Sequence, residues 1–240
     1  MLLQKKINQM LDGTAVGDKA VQKIGSIKGK YLTLEQAAKG IHSLTMQNLA
    51  GPNVRDLREN NRKYIVEPPD VMMTLRPQMM APRLSEALTF KSIAYVKWAS
   101  LVGPGAEWDL KVSHEPLRKV HWYLYDHVSG CQFGKDIFGN IHYGYIGMAA
   151  GFSEDELKDG AGAAQILTIL KQLIRFKDQP LREALQRFKV QKSFAAFDPP
   201  DDAFAVSIGI EQWKKYGSEL DLQSYINDIR TNKSSLQAKC

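Results

Sequence analysis

The chain has 240 residues, 44% of them hydrophobic and 24% charged, which is enough for one substantial core and is typical of a globular protein. Its 32 Lys and Arg against 26 Asp and Glu give a net charge of +6, which suits an anionic partner but is too mild to identify one. No apolar run reaches the length of about 18 residues that a membrane-spanning helix needs. The polar N-terminus lacks the apolar core of a cleaved secretory signal, so we expect synthesis in the cytoplasm.

The first third of the sequence contains one well-punctuated helix. Residues 1–30 are polar and predict a short helix or a mobile arm. Thr33 and Gln36 have the spacing of a capping box, and Gly51 ends the helix that they begin. Residues 66–84 are rich in Pro and Met, which indicates an extended connector. We therefore divide the chain into an N-terminal helical or adaptor segment (1–80) and a catalytic domain (81–240).

The middle of the chain predicts two more helices, separated by a turn-rich loop. Apolar residues recur at helical spacing between Leu84 and Leu101, and the loop "GPGAEWDLK" follows at 103–111. Pro116 is placed to begin the next helix, and Gly130 to end it. That interpretation puts Leu124 on the apolar face of a helix.

A glycine-rich stretch near residues 133–148 predicts one short β-hairpin or irregular segment. In an extended chain Asp136, Asn140 and His142 point to the same side, as the acid, amide and base of a site would. The alternative is a tight turn, because Asp and Asn often bond their own backbone there. Further helices are expected after a capping box at Ser153 and Glu156, and the polar tail after Tyr225 is expected to be loose. The fold class is α+β, predominantly α-helical.

Other polar clusters predict neither a metal site nor a cofactor. The histidines at 114, 121 and 127 lack the spacing of a zinc pair on a helix. Asp198, Asp201 and Asp202 are explained more readily as acids at a helix N-terminus than as ligands. Cys131 and Cys240 are expected to be reduced, with Cys131 in or near the core and Cys240 at a frayed end.

Three blocks of sequence resemble one known family in order and content. They are "VGPGAEWDLK" (102–111), "KDIFGNIHYGYIGMAAGFSEDELKDGAGAAQ" (135–165) and "DPPDDAFAVSIGIEQWKKYG" (198–217). Together they are similar to the bacterial polymorphic toxin type 44 domain. The resemblance implies an interbacterial toxin that a secretion system exports, without a cleaved signal peptide, into a target bacterium. It also implies a cognate immunity protein and a hydrolase, with RNA cleavage as the first expectation.

The resemblance also implies a set of site residues, matched block by block. Four of them are expected to be catalytic: Asp136, Asp109, His142 and Lys111. Four are expected to bind the substrate: Asn140, Trp108, Tyr143 and Gln165. The family pattern does not require His at position 142. Asp136 and Asp109 are therefore favoured over His142 as the acid–base groups.

A second similarity leads to a different substrate. The segment "KDIFGNIHYGYIG" is also similar to the hairpin of phage-type lysozymes, which places an Asp opposite a catalytic Glu. The alternative function is therefore a muramidase-like peptidoglycan hydrolase that uses a pair of carboxylates. In both cases the substrate is an anionic polymer, and we expect the 103–111 loop to meet the 136–142 segment, with Asp109 and Asp136 on opposite walls of one pocket.

Overall fold

The computed structural model describes residues 32–63, 77–119, 123–161 and 198–240. This part of the chain is predominantly helical with one small antiparallel sheet, which confirms the predicted fold class. In chain order the elements are α1 (Leu34–Ala50), α2 (Pro52–Lys63), α3 (Pro77–Val102), α4 (Leu110–Ser113), α5 (Glu115–Lys119), β1 (Tyr123–Tyr125), β2 (Gln132–Gly134), α6 (Ile137–Ala149), α7 (154–161), α8 (Pro200–Tyr216) and α9 (Leu222–Thr231). None of these helices is long and apolar enough to cross a bilayer.

Local capping signals placed two helices correctly. The Thr33 side chain accepts a hydrogen bond from the Gln36 backbone, and the Gln36 side chain accepts one in return from the Thr33 backbone. Ser153 and Glu156 form the same reciprocal pair at the start of α7. Each pair satisfies backbone donors that a helix N-terminus otherwise leaves without partners.

The predicted helix from Pro116 to Gly130 is wrong from residue 123 onward. α5 is short, and the chain then forms a β-hairpin in which Leu124 is buried while its neighbours Tyr123 and Tyr125 are exposed. Alternation of this kind is the signature of a half-buried strand. Gly130 has a φ of 70°, so it belongs to the tight turn between the strands rather than to a helix end.

The hairpin and the helix after it correct the predicted position of the β element. The sheet pairs β1 with β2 and ends at Gly134. The glycine-rich residues that follow form α6, so an extended alternation of Asp136, Asn140 and His142 does not exist. Gly144 and Gly147 lie within this helix at positions where close packing leaves no room for a side chain. A Cβ at Gly144 would lie 2.2 Å from the backbone oxygen of Val206, and one at Gly147 would lie 2.3 Å from Leu157.

The core is built around a close parallel pair, α6 and α8. A Cβ at Gly209 of α8 would lie 2.0 Å from the backbone oxygen of Ile141, so the two helices touch through their backbones. Along the pair, Asn140 meets Asp202, Gly144 meets Val206, and Tyr145 meets Trp213. Because these contacts advance in the same direction on both helices, the two N-termini lie together.

Helices from the predicted adaptor segment pack against this pair. The side chains of α1 and α2 that join the common core are Leu34, Ala37, Ala38, Ile41, Val54 and Leu57. Asn61 also donates a hydrogen bond to the backbone oxygen of Ala150, at 2.9 Å. Residues 34–63 are therefore part of the same packed unit as α6. The division of the chain at residue 80 stays a prediction.

The tail after Tyr225 is ordered, contrary to expectation. Ile226, Ile229 and Leu236 are buried, and Cys240 forms a disulfide with Cys131. The expectation of reduced cysteines is wrong in this structure, although the expected burial of Cys131 is confirmed. The sequence alone gave no sign of the pairing, because the two cysteines are 109 residues apart.

Candidate functional site

A polar cluster lies where the N-termini of α6 and α8 meet. Asn140, in the first turn of α6, donates a hydrogen bond from Nδ2 to Oδ1 of Asp202, in the first turn of α8, at 2.6 Å. The charges of Asp136, Asp201 and Lys111 all act on the carboxyl group of Asp202. Three segments of the chain thus contribute to one site: α4, the N-terminus of α6 and the N-terminus of α8.

The pKa of Asp202 is the strongest electrostatic feature of this cluster. Burial raises it, and the negative charges of Asp136 and Asp201 raise it further, against the opposing effects of Lys111 and Asn140; the result is about 6. A carboxyl group with a pKa near 6 is protonated in a substantial fraction of molecules close to neutral pH. It is therefore suited to donate a proton in a reaction.

Asp136 lies at the N-cap position of α6, but its side chain makes no capping hydrogen bond. Its carboxylate instead lies close to Gly134, where an added Cβ would be 2.7 Å from Oδ1. The turn interpretation of this residue predicted a bond to its own backbone. The carboxylate is partly exposed, and its charge acts on Asp202.

The helix start at Asp201 and Asp202 was recognised in the sequence, but its part in the site was not. Both residues are acids in the first turn of α8, as the helix-dipole interpretation predicts. Asn140 and Asp202 are 62 residues apart, and only the close crossing of α6 and α8 brings them together. A usable signal was the position of "DPPDD" within the third block of the family resemblance.

His142 occupies a structural position. It is buried within α6, and its Nδ1 pairs with the hydroxyl of Thr45 at 2.9 Å. Burial lowers its pKa to about 3, so the ring is neutral over the physiological range. The expected acid–base role for His142 therefore has no geometric support. Its position on α6 also separates it from Asn140, which lies on the face toward α8.

The 103–111 loop does meet the 136–142 segment, as expected, but through packing. The buried ring of Trp108 contacts His142 edge-on, with ring centroids 5.9 Å apart. The carboxylate of Asp109 accepts a hydrogen bond from the backbone N–H of Gly105 at 2.9 Å, so it closes its own loop. Trp108 is thus a packing anchor, and Lys111 is the member of this block that reaches the polar cluster.

The remaining two predicted substrate-binding residues are not placed in the site. The hydroxyl of Tyr143 donates a hydrogen bond to the backbone oxygen of Leu157 at 3.1 Å, and burial raises its pKa to about 12. Its ring packs on Trp98, with centroids 5.2 Å apart. Gln165 lies outside the described residues.

A groove of about 1150 Å³ lies at the opposite end of α6, where its lining includes Met148, Phe152 and Trp213. The length of α6 puts it roughly 18 Å from Asp136. Its charged lining residues include Arg58 and Arg62 as well as Lys91 and Glu156. Lys91 and Glu156 are paired with each other at 2.6 Å, and Arg58 donates a hydrogen bond to the backbone oxygen of Ala149. In the part of the chain that the structure describes, no three His, Cys, Asp or Glu residues form a metal-binding group.

The model of the family described as Bacterial toxin 44 matches residues 97–215, so this part of the chain is a bacterial toxin 44 domain. No curated protein and no solved structure matches the chain. The match runs from α3 to α8 and includes Lys111, Asp136, Asn140 and Asp202.

Proposed function

We propose that this toxin cleaves glycosidic bonds of peptidoglycan, with Asp202 as the general acid and Asp136 as the second carboxylate. The observation that carries the proposal is the raised pKa of Asp202 beside Asp136. Two carboxyl groups that share a site, one of them with a raised pKa, are the working parts of glycoside hydrolysis.

In this mechanism Asp202 protonates the oxygen of the scissile glycosidic bond as that bond breaks. The ionised carboxylate of Asp136 stabilises the positive charge that develops on the sugar ring, or activates the water that adds to it. Asn140 holds Asp202 in position through the 2.6 Å hydrogen bond. Lys111 limits how far the pKa of Asp202 rises, which keeps the proton transferable.

The Cys131–Cys240 disulfide supports an extracytoplasmic target. Disulfides form and persist in oxidising compartments such as the bacterial periplasm, and are rare in the cytoplasm. Peptidoglycan is reached from the periplasm, whereas cellular RNA is not. A toxin that folds with this disulfide is thus suited to act on the wall.

RNA cleavage, the first expectation from the sequence, is the second candidate, and Lys111 is the observation that favours it. An exposed cation beside the carboxylates is placed to bind a phosphate. Against it, the clustered carboxyl groups repel a phosphodiester. His142 is buried and its pKa is lowered to about 3, so it is too inaccessible and too weak to serve as the base. The balance of charge in the cluster therefore favours a sugar substrate.

Delivery and protection follow from the family and are part of the proposal. We infer that a secretion-system carrier exports the chain from the producing cytoplasm, without a cleaved signal peptide, into a competing bacterium. A cognate immunity protein then protects the producer and its kin. On the proposed mechanism that immunity protein is needed in the periplasm, because the wall is attacked there.

Expression of the full chain in a bacterial host, with and without an added periplasmic signal, tests the substrate. We expect lysis only with the signal, and release of soluble fragments from purified cell-wall sacculi by the isolated protein. Asp202→Asn removes the proton donor and should abolish both, while Asp155→Asn, at an exposed acid of α7 outside the polar cluster, serves as the matched control and should retain most activity. Killing from the cytoplasm with degraded RNA and intact sacculi would contradict the proposal.

A further inference from the structure

The exposed face of the β-hairpin carries two tyrosines that the proposed mechanism does not use. Tyr123 and Tyr125 are 42% and 41% exposed, although large aromatic side chains are more often buried. They are two positions apart on β1, so their rings stand on the same face, about 7 Å from each other. Leu124 and Phe133 fill the opposite face, which is buried in the core.

This exposed face leads directly to the candidate site. Tyr123 pairs with Gly134 across the sheet, and paired residues project to the same side. The direction in which Gly134 would carry a side chain is occupied by the carboxylate of Asp136, 2.7 Å from an ideal Cβ. Asp136 therefore lies on the same face as Tyr123. The absence of a side chain at Gly134 leaves the path between them open.

Positive charge flanks the tyrosines on this face. Gln132 pairs with Lys239 in an isolated bridge, and the ammonium group of Lys239 lies over the Tyr123 ring, 4.1 Å from its centroid. The ring of His127 packs edge-on against Tyr125, with centroids 4.9 Å apart. The neighbouring Cys131–Cys240 disulfide fixes the segment that carries Lys239.

We propose that this face, the tyrosine platform (Tyr123, Tyr125, Gln132 and Lys239), binds the glycan strand of peptidoglycan next to the scissile bond at Asp136. Exposed aromatic rings pack against the apolar faces of sugar rings, and tyrosine keeps a hydroxyl for a polar contact. Lys239 complements the carboxylates of the peptide stems attached to that chain. This inference rests on the proposed function, since the substrate class is the same.

The platform predicts a loss of binding that is separate from the chemistry. In an Asp202→Asn background, which prevents digestion, the variant Tyr123→Ala/Tyr125→Ala should bind purified sacculi at least about ten-fold more weakly in a co-sedimentation assay. With Asp202 intact, the double variant should raise the KM for sacculi and change kcat little. Val128→Ala, at a hairpin-turn residue that is 70% exposed, is the matched control and should bind normally. Circular dichroism of all variants verifies that the hairpin remains folded.

The outcomes separate the platform from the proposed reaction. Unchanged binding of sacculi by the double variant, or no binding by the parent protein, overturns the platform. A double variant that loses affinity for a fluorescent single-stranded RNA but not for sacculi makes the face a nucleic-acid surface, and also overturns it. If Asp202→Asn still digests sacculi, the proposed mechanism fails, whereas the platform is still tested by the KM comparison between the chain with Asp202 intact and its double variant.

Discussion

Loss of the Cys131–Cys240 disulfide should destabilise the domain more than a typical point substitution. The bond joins residues 109 positions apart, so it removes a large amount of conformational freedom from the unfolded chain. Loop-closure entropy for a ring of that size corresponds to about 5 kcal/mol at 25 °C. Domains of this kind are stable by roughly 5–15 kcal/mol in total. The bond therefore accounts for a large share of the free energy of unfolding.

The assay is chemical unfolding of the full chain, followed by tryptophan fluorescence, with and without a thiol reductant. We expect the reduced protein to unfold at a clearly lower denaturant concentration than the oxidised protein. Cys240→Ser should match the reduced protein and should not respond to the reductant. This variant is preferred to a change at Cys131, because Cys131 is fully buried and its replacement would also disturb the core.

The reasoning is refuted if oxidised and reduced proteins have free energies of unfolding within about 0.5 kcal/mol of each other, a tenth of the value expected from loop closure. That result would mean that the segment carrying Cys240 is held equally well by its other contacts. Those contacts are the burial of Leu236 and the two backbone hydrogen bonds between Gln132 and Lys239. An intermediate loss would divide the stabilisation between the disulfide and these contacts.

Four further predictions concern stability. The pKa of Asp202 is higher in the folded than in the unfolded chain, so the free energy of unfolding of the wild type should fall as pH rises from about 4 to about 6. In urea unfolding, Asp202→Asn should remove this pH dependence and should be up to about 3 kcal/mol more stable than the wild type at pH 8. His142 should give stability the opposite pH dependence, because its pKa of about 3 in the folded chain lies below the unfolded value. The free energy of unfolding should decline as pH falls below about 6.5, and His142→Gln should weaken that decline in the same urea titration. Gly144→Ala should cost several kcal/mol or prevent folding, because its Cβ would meet backbone, whereas the matched control Gly139→Ala, with nothing within 4 Å, should be neutral or stabilising by up to about 1 kcal/mol in thermal melts. A fragment that begins at Leu84 should fail to fold as judged by circular dichroism, since it lacks the buried side chains of α1 and α2; a folded, active fragment would support the boundary near residue 80.

The features that were predictable from the sequence are those encoded within a few residues. The capping boxes at Thr33 and Ser153 each involve neighbours three positions apart, so the pattern and the contact coincide. The family resemblance identified Asp136 and Asn140 as candidate site residues, because both belong to one short motif. The roles of these residues depend on partners that the motif does not contain.

The features that were missed depend on distant contacts. His142 looks like an acid–base residue until Thr45, 97 positions earlier, is known to bond its ring. Asp202 looks like a helix-dipole residue until Asn140 is placed beside it. The glycines of α6 suggested an irregular segment, because an isolated glycine disfavours a helix. In the structure, Gly144 and Gly147 lie within a helix whose packing requires glycine, because α8 and Leu157 occupy the space that a side chain would need. No local pattern reports such packing.

The backbone contact between α6 and α8 also limits how the site can vary. Main-chain atoms at Gly144 and Gly209 set the separation of the two helices, so exchanges among the surrounding apolar side chains change how firmly the helices are held more than how far apart they lie. Substitutions of core side chains should therefore have little effect on the distance between Asn140 and Asp202. Losses of stability and losses of the geometry of the candidate site should consequently arise from different sets of substitutions. On the proposed function, a variant that melts at a lower temperature should still act on its substrate at the normal rate while it remains folded.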